Sequence, residues 1–468
     1  MKAVIVDKVK GAFACLRMPP SKSITHRALT AAALADGTSV IRQPGINADT
    51  EATINCLERL GACFTRGADT VAVKGLGAGH IDFDGRPIYC AESASTLRFL
   101  LPLFAQSGKR CVFTGSGRLM ERPEDVYEQS YSRRGEFIRV CGSELTECFS
   151  DHLKDSLSGY ICVKGKLRPD VYTIRGDISS QFASGLMFLL PLLGGDSAIR
   201  MIPPVVSEPY VRLTADVLRL AGINTEYEKL PSGAVVISIP GKQRYRAFSC
   251  SVDGDWSSAA FFEALAAVTN KKIRICGLDL SSGQPDKTAA ELIRSFGAQV
   301  RENEAQKTDA PAAEKDEFSE GSPVSYITVS RRGARLKAIE ADISDCPDLG
   351  PVLFALATQA QGISTFHGAS RLRGKESDRI ACMESELRKL GCRMASSGDT
   401  VWVEGRTAIQ GGTVLDGCGD HRIVMALSVL ACCAKEPVTI EGAEAVSKSY
   451  PGFFEDLAAC GVSVEIAD

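Results

Sequence analysis

Five times along this chain a helix-like segment runs into a glycine and then into a strand-like segment. The copies are INCLERLGACF (54–64), DVLRLAGINTEY (216–227), ELIRSFGAQVRE (291–302), ESELRKLGCRM (384–394) and EDLAACGVSVEI (455–466). Apolar residues recur at helical spacing in each. Gly61, Gly222, Gly297, Gly391 and Gly461 then stand where a helix ends on a left-handed residue that glycine adopts without steric cost. The glycines are 161, 75, 94 and 70 residues apart. The first interval is about two periods, so a sixth copy is expected inside it, and Ser132–Glu147 is correctly placed but weakly patterned. The long interval holds residues 303–323, charged and poor in apolar side chains, which reads as a surface insertion. A unit of this length that mixes helix with strand fits none of the common solenoids. Six units in 468 residues, more than one core usually supports, predict two α/β domains of three units each, with the boundary near Arg246–Asp253.

Net charge is −3 and pI about 6.1, so no global basic field favours nucleic acid or an anionic membrane as partner. The longest apolar stretches, Phe182–Gly195 and Ile423–Ala434, are too short to cross a bilayer. MKAVIVDKVKG reads as a strand rather than a signal or transit peptide, which makes a cytoplasmic location the expectation. The 17 cysteines include no CxxC pair, so neither a metal nor a redox motif is expected from spacing. Cys56, Cys63, Cys111, Cys162, Cys276 and Cys382 lie among apolar neighbours and read as buried, reduced thiols.

Against this acidic background, compact cationic clusters stand out. KESDR (375–379) follows the strand-like run 363–366. Lys22-Ser23 with Arg27, Arg98, Arg122, Asp420-His421-Arg422 and Lys448 recur far away in sequence. Most fall at turns or helix starts, where backbone N–H groups and cations can face one anion. Lys22 and Arg27 oppose the dipole of the helix they open, an arrangement that a bound anion would compensate. ESASTLR (92–98) and ISSQ (178–181) place hydroxyls, small residues and an amide at the starts of apolar helices, and Ser207 with Tyr210 adds another donor pair. Asp348, in CPDLGP, and Glu376, beside Lys375, are the carboxylates placed for acid–base work, with N-capping and a plain ion pair as their ordinary alternatives. His421 is the one histidine of five flanked by two charges. The pattern points to small, multiply anionic ligands.

Taken in order, PSKSITHRAL, ESASTLRF, ERP, DISSQF, SEPY, VDGDWSSAAFF, DCPDLGP, KESDR, GDHR and SKSYPGFF resemble the 3-phosphoshikimate 1-carboxyvinyltransferases (EPSP synthases) from about residue 15 to 460. The resemblance implies the enolpyruvyl transferase fold: two domains, each of three βαβαββ units around a pseudo-threefold axis. Here they would span 21–247, and 1–20 plus 248–468. It implies transfer of the enolpyruvyl group of phosphoenolpyruvate to the 5-hydroxyl of shikimate 3-phosphate, with no metal or organic cofactor, by a monomer whose two halves close on substrate. By the same resemblance Lys22, Ser23, Arg27, Ser179, Ser180, Ser207, Tyr210, Asp348 and Lys375 would hold shikimate 3-phosphate. Lys22, Ala94, Arg122, Gln181, Arg379, Arg422 and Lys448 would hold phosphoenolpyruvate, and Asp348, Glu376, Lys22 and His421 would carry the catalysis.

Two departures from the family pattern bear on these expectations. ESAS (92–95) stands where many members carry Asn-Ala-Gly-Thr, so Ala94 puts a methyl where backbone would approach phosphoenolpyruvate or its mimic glyphosate; tolerance to glyphosate is expected. YEQSYSRR (127–134) lacks the amphipathic pattern expected of the second unit's outer helix, and its packing is in question. The alternative is the sister family acting on UDP-N-acetylglucosamine. Ser23 stands where that family has Asn after the lysine, and its donor-site loop cysteine has no counterpart beyond Cys111, which lies in an apolar strand.

Overall fold

The computed structural model describes residues 1–7, 11, 13–77, 81, 83–133, 135–141, 159–303, 325–331, 333, 335–405 and 408–467. Nearly all of the 303–323 insertion, and residues 142–147 of the weakly patterned sixth copy, lie outside them. The chain divides into two compact units, residues 22–252 and residues 1–21 with 253–468.

Unit 22–252 contains α1 (Lys22–Leu34), α2 (Ala48–Arg59), α3 (Ala94–Ala105), α4 (Asp125–Ser132), α5 (Ser180–Leu189) and α6 (Glu208–Leu220). The other unit contains α7 (Trp256–Thr269), α8 (Ala289–Ser295), α9 (Gly350–Ala357), α10 (Arg379–Lys389), α11 (His421–Ala431) and α12 (Phe453–Ala459). Among the described residues each unit has three four-stranded sheets of one design, in which a parallel pair is followed by two antiparallel neighbours. Val171–Arg175, for example, runs parallel to Ser197–Ile202, which pairs antiparallel with Val235–Ile239 and through it with Glu226–Lys229.

α3, α5, α7, α9 and α11 fill the centres of the units because their sequences are apolar on nearly every side. Every residue of α9 and α11 is buried, all but Thr269 in α7, all but Ser95 in α3 and all but Gln181 in α5. α7, α9 and α11 pack on one another, and α3 packs on α1 and α5. The exceptions Ser95 and Gln181 are polar residues at helix starts, and they hydrogen-bond each other, Gln181 Nε2 donating to Ser95 Oγ at 2.9 Å. The even-numbered helices are amphipathic and close the outside. All five glycines of the sequence repeat have positive φ, from 76° at Gly222 to 104° at Gly61 and Gly297.

The outer helix of the second repeat forms after all. In α4, Val126, Tyr127, Ser130 and Tyr131 are buried: the two tyrosines stand four apart, so the buried stripe is aromatic rather than aliphatic. The helix ends at Ser132, N-terminal to most of the Ser132–Glu147 stretch, and Glu136–Cys141 is already strand. The thiols also differ from expectation. Cys56, Cys111 and Cys162 are buried, but Cys63 is exposed and Cys276 and Cys382 are only half-buried, since each lies near the edge of its apolar run.

Candidate active site

In unit 22–252 the site residues collect at the starts of the buried helices. Lys22 is the first residue of α1 and its Nζ pairs with Asp49 Oδ2 at 2.8 Å. A hydroxyl chain continues inward: Thr96 Oγ1 donates to the Asp49 carbonyl at 3.4 Å and lies 2.7 Å from Thr53 Oγ1, which in turn touches His26 Nδ1 at 2.7 Å. Burial, Lys22 and Arg27 push His26 well below its usual pKa, so it is a neutral structural imidazole. Arg27 is buried and gives its protons to neutral oxygens: Thr214 Oγ1 at 2.8 Å, the Ser23 carbonyl at 2.7 Å and the Tyr210 carbonyl at 3.2 Å. Its guanidinium stacks over Phe99 and Tyr210, and burial lowers its pKa to about 10.

α3 opens on Ala94 behind the N-cap Ser93, and α5 opens on Ser180 behind the N-cap Ser179, each cap accepting one first-turn amide. Arg98, one turn into α3, joins these starts. Its Nε donates to Glu124 Oε1 at 2.7 Å and its Nη1 to Gln181 Oε1 at 3.0 Å, which fixes the side-chain amide of Gln181. Burial raises the Glu124 carboxyl, while Arg98, Arg139 and Arg122 act to keep it charged. Arg122 is itself buried, just after the short 3-10 helix Leu119–Glu121. Ser207 precedes α6 with φ 54°, a left-handed conformation unusual for serine. Among the charged groups named here, the five cations Lys22, Arg27, Arg98, Arg122 and Arg139 outnumber the two carboxylates Asp49 and Glu124.

The other unit gathers KESDR, CPDLGP and GDHR into one network. Asp348, in the 3-10 turn before α9, accepts from three cations: Lys375 Nζ at 3.1 Å and Arg379 Nη1 at 2.8 Å on Oδ1, and Arg422 Nη2 at 3.2 Å on Oδ2. It therefore does not serve as the N-cap of α9. Arg379, 1% exposed, is the first residue of α10 rather than part of a solvated face. It also donates to Glu376 Oε2 at 2.7 Å and, through Nε, to Asp420 Oδ2 at 2.7 Å. Asp420 caps α11 by accepting the Arg422 amide at 2.9 Å and takes Ser377 Oγ at 3.1 Å. His421 is the buried first residue of α11, and Lys448 Nζ donates to the Gly419 carbonyl at 2.7 Å.

The electrostatics follow from this crowding. Burial pushes the Asp348 carboxyl up, but Arg422, Lys375 and Arg379 outweigh it and hold Asp348 well below the usual carboxylate range. Burial lowers Lys375, opposed by Asp348. Burial also disfavours the Arg379 cation, yet Asp420, Glu376 and Asp348 raise its pKa overall. Four cations (Lys375, Arg379, Arg422 and Lys448) face three carboxylates (Asp348, Glu376 and Asp420). Every cation in this group already holds a carboxylate or carbonyl oxygen, the geometry a phosphate or carboxylate ligand would take over.

Asp49, the anchoring of Gln181 by Arg98 and the part Asp420 plays in holding Arg379 do not follow from the sequence motifs alone. Asp420 was visible inside GDHR; Asp49 carried no signal beyond its place in the first turn of α2.

Two cation-rich clusters on internally repeated units, each with a four-stranded sheet, go with the enolpyruvyl transferase fold. The family described as EPSP synthase (3-phosphoshikimate 1-carboxyvinyltransferase) matches residues 6–457, and the chain belongs to it. It is 35% identical over 450 residues to a 3-phosphoshikimate 1-carboxyvinyltransferase of Clostridium kluyveri, covering 96% of this chain and 95% of that one. A protein of the same description from Brachyspira hyodysenteriae is 34% identical over 457 residues, with 97% of each covered. The fold is shared with the EPSP synthase from Acinetobacter baumannii, at TM-score 0.75, 22% identity and full coverage of both chains. It is shared too with the enolpyruvyl transferase NikO from Streptomyces tendae, at TM-score 0.70, 17% identity and coverage of 99% and 98%.

Proposed function

We propose that the residues of these two clusters carry out the reaction of the family: transfer of the enolpyruvyl group of phosphoenolpyruvate to the 5-hydroxyl of shikimate 3-phosphate, with release of phosphate. The observation that carries the assignment is the Asp348 carboxylate held by Lys375, Arg379 and Arg422. In that state Asp348 is ionised but weakly basic. Substrate anions that draw off Arg379 and Arg422 would raise its basicity at the moment a hydroxyl proton must be taken.

Lys22, Ser23, Arg27, Ser179, Ser180, Ser207, Tyr210, Asp348 and Lys375 then hold shikimate 3-phosphate. Lys22, the Ala94 amide, Arg122, Gln181, Arg379, Arg422 and Lys448 hold phosphoenolpyruvate. The 5-hydroxyl oxygen bonds to C2 of phosphoenolpyruvate as Asp348 takes its proton, and C3 gains a proton through Glu376 and Lys22. The tetrahedral adduct then loses phosphate from C2 and a proton from C3, with His421 and Lys448 beside the leaving group.

Steady-state kinetics test the division. Arg122→Ala is expected to raise KM for phosphoenolpyruvate by ~10-fold or more, as for a lost charge-assisted hydrogen bond, with KM for shikimate 3-phosphate little changed; the opposite pattern would reassign Arg122. Ala94, 6% exposed, is the first residue of α3, and its methyl at that helix start is the reason tolerance to glyphosate is expected. Ala94→Gly should restore inhibition by glyphosate, and unchanged inhibition would remove that role.

A further inference from the structure

Glu124 stands at the start of α4, yet its carboxylate does not cap that helix. The backbone carbonyl of Glu124 takes the Tyr127 amide at 3.0 Å and the Glu128 amide at 3.1 Å, while its side chain is fully buried. An acid at a helix start ordinarily accepts a first-turn amide, and burying it instead is costly. Oε1 accepts from Arg98 Nε at 2.7 Å; Oε2 has no hydrogen-bond partner among the described residues. A cap and a solvated charge are thus given up to set one carboxylate against one arginine.

Arg98 passes this anchorage on to Gln181. Its Nη2 donates to the Pro123 carbonyl at 2.7 Å, and its guanidinium lies over the Phe182 ring, 4.6 Å from the centroid. Nη1 donates to Gln181 Oε1 at 3.0 Å, so every nitrogen of the guanidinium is committed. A guanidinium has donors alone, so only the carbonyl end of the Gln181 amide can face it. Nε2 is left on the other side, where one proton goes to Ser95 Oγ at 2.9 Å. The second proton has no acceptor among the described residues, and Gln181 is the one residue of α5 that is not buried. An amide held this way offers a donor, which suits an anion.

We propose that Glu124 is a positioning residue that acts through Arg98 to hold the Gln181 amide with its nitrogen towards phosphoenolpyruvate. The inference rests on the reading of Gln181 as a phosphoenolpyruvate ligand. Glu124 is buried and acts only through its neighbours. Without its carboxylate, Arg98 would be a buried cation drawn to the nearest anion, the substrate itself. Gln181 would then be released to rotate and could present its oxygen, which repels an anion. Glu124 thereby keeps Arg98 out of the anion site and fixes Gln181 as a donor within it.

Steady-state kinetics on the full-length protein, with each substrate varied, would compare Glu124→Gln, Gln181→Ala and the double variant, with melting temperatures measured alongside. Glu124→Gln is expected to raise KM for phosphoenolpyruvate by about 10-fold, the size of one charge-assisted hydrogen bond, with kcat and KM for shikimate 3-phosphate within about twofold. Added to Gln181→Ala, the same change should have no further effect, because a residue acting through that amide is silent once it is gone. Glu124→Asp keeps the charge but withdraws it by one methylene, and should raise the same KM by a smaller factor. It carries the test if Glu124→Gln does not fold. Three results would overturn the proposal alone: an equal effect of Glu124→Gln with and without Gln181, a loss of kcat that tracks melting temperature, or a lower KM for phosphoenolpyruvate. Gln181→Ala with an unchanged KM for phosphoenolpyruvate would instead remove Gln181 from that site, and the proposal with it.

Discussion

At the residue scale the candidate site is built from charges that are individually costly and collectively satisfied. Asp348 would be an expensive half-buried carboxylate without its three cations, and those cations would be expensive without it. Asp348→Ala should lower kcat by at least ~100-fold, as expected for a lost general base, while the protein stays folded by circular dichroism; near-normal turnover would discard the role.

Glu263 in α7 is a different case. It is fully buried, neither carboxylate oxygen has a hydrogen-bond partner among the described residues, and burial pushes its pKa from 4.5 to about 8. Below pH 4.5 the group is protonated whether the chain is folded or not. As pH rises towards about 8 the unfolded chain releases the proton and the folded chain keeps it, so stability falls across this window. The slope from this group is at most ~1.4 kcal/mol per pH unit. Glu263→Gln should flatten that dependence, with the larger gain over the parent at pH 8, as read from urea unfolding at pH 6 and 8; an unchanged slope would contradict it. Most site residues were legible in the sequence because they break local rules: cations at helix starts, and serines before apolar runs. Glu263, inside FFEALAAV, was not legible, because only tertiary packing decides what surrounds it.

At the element scale the glycine-ended helices could be read directly, since a left-handed C′ residue is a backbone requirement and leaves its mark on the sequence. The outer helix of the second repeat was harder to read, because its buried face is made by Tyr127 and Tyr131, polar-headed residues that pack as aromatics. Tyr127 bridges the central helices: its hydroxyl donates to the Arg98 carbonyl at 2.5 Å, and its ring meets Phe182 edge-on at 4.9 Å. Gly185 of α5 sits at that crossing, where a Cβ would come within 2.1 Å of both the Arg98 carbonyl oxygen and the Tyr127 hydroxyl. Gly185→Ala must force α3 and α5 apart and should cost ~1–3 kcal/mol, seen as a lower urea midpoint at unchanged m-value. An unaltered midpoint would mean the helices separate freely there.

At the scale of the whole molecule, chain order and unit membership diverge. Lys2–Asp7 is an interior strand, lying between Val438–Glu441 and Ser463–Ala467, and Phe13–Arg17 pairs with Lys272–Cys276. Unit 22–252 has all its own strands, including Ser249–Ser251 against Thr38–Arg42. Residues 22–252 expressed alone should therefore fold cooperatively, whereas 253–468 alone should not, because two of its sheets each lose a strand. Circular dichroism melts of the two fragments decide this, and a cooperative melt of 253–468 would contradict the topology. The repeat was visible in the sequence, and the family resemblance implied that residues 1–20 go with the C-terminal half; the place of 249–251 was not legible, since that edge strand is three residues long and carries no pattern of its own.

The measurement that bears most directly on the function is phosphate release from the purified protein with phosphoenolpyruvate plus shikimate 3-phosphate, beside phosphoenolpyruvate plus UDP-N-acetylglucosamine, with EDTA present in both. Release that requires shikimate 3-phosphate and is indifferent to EDTA is the expected result. Release with the nucleotide sugar alone, or with neither acceptor, would contradict the assignment.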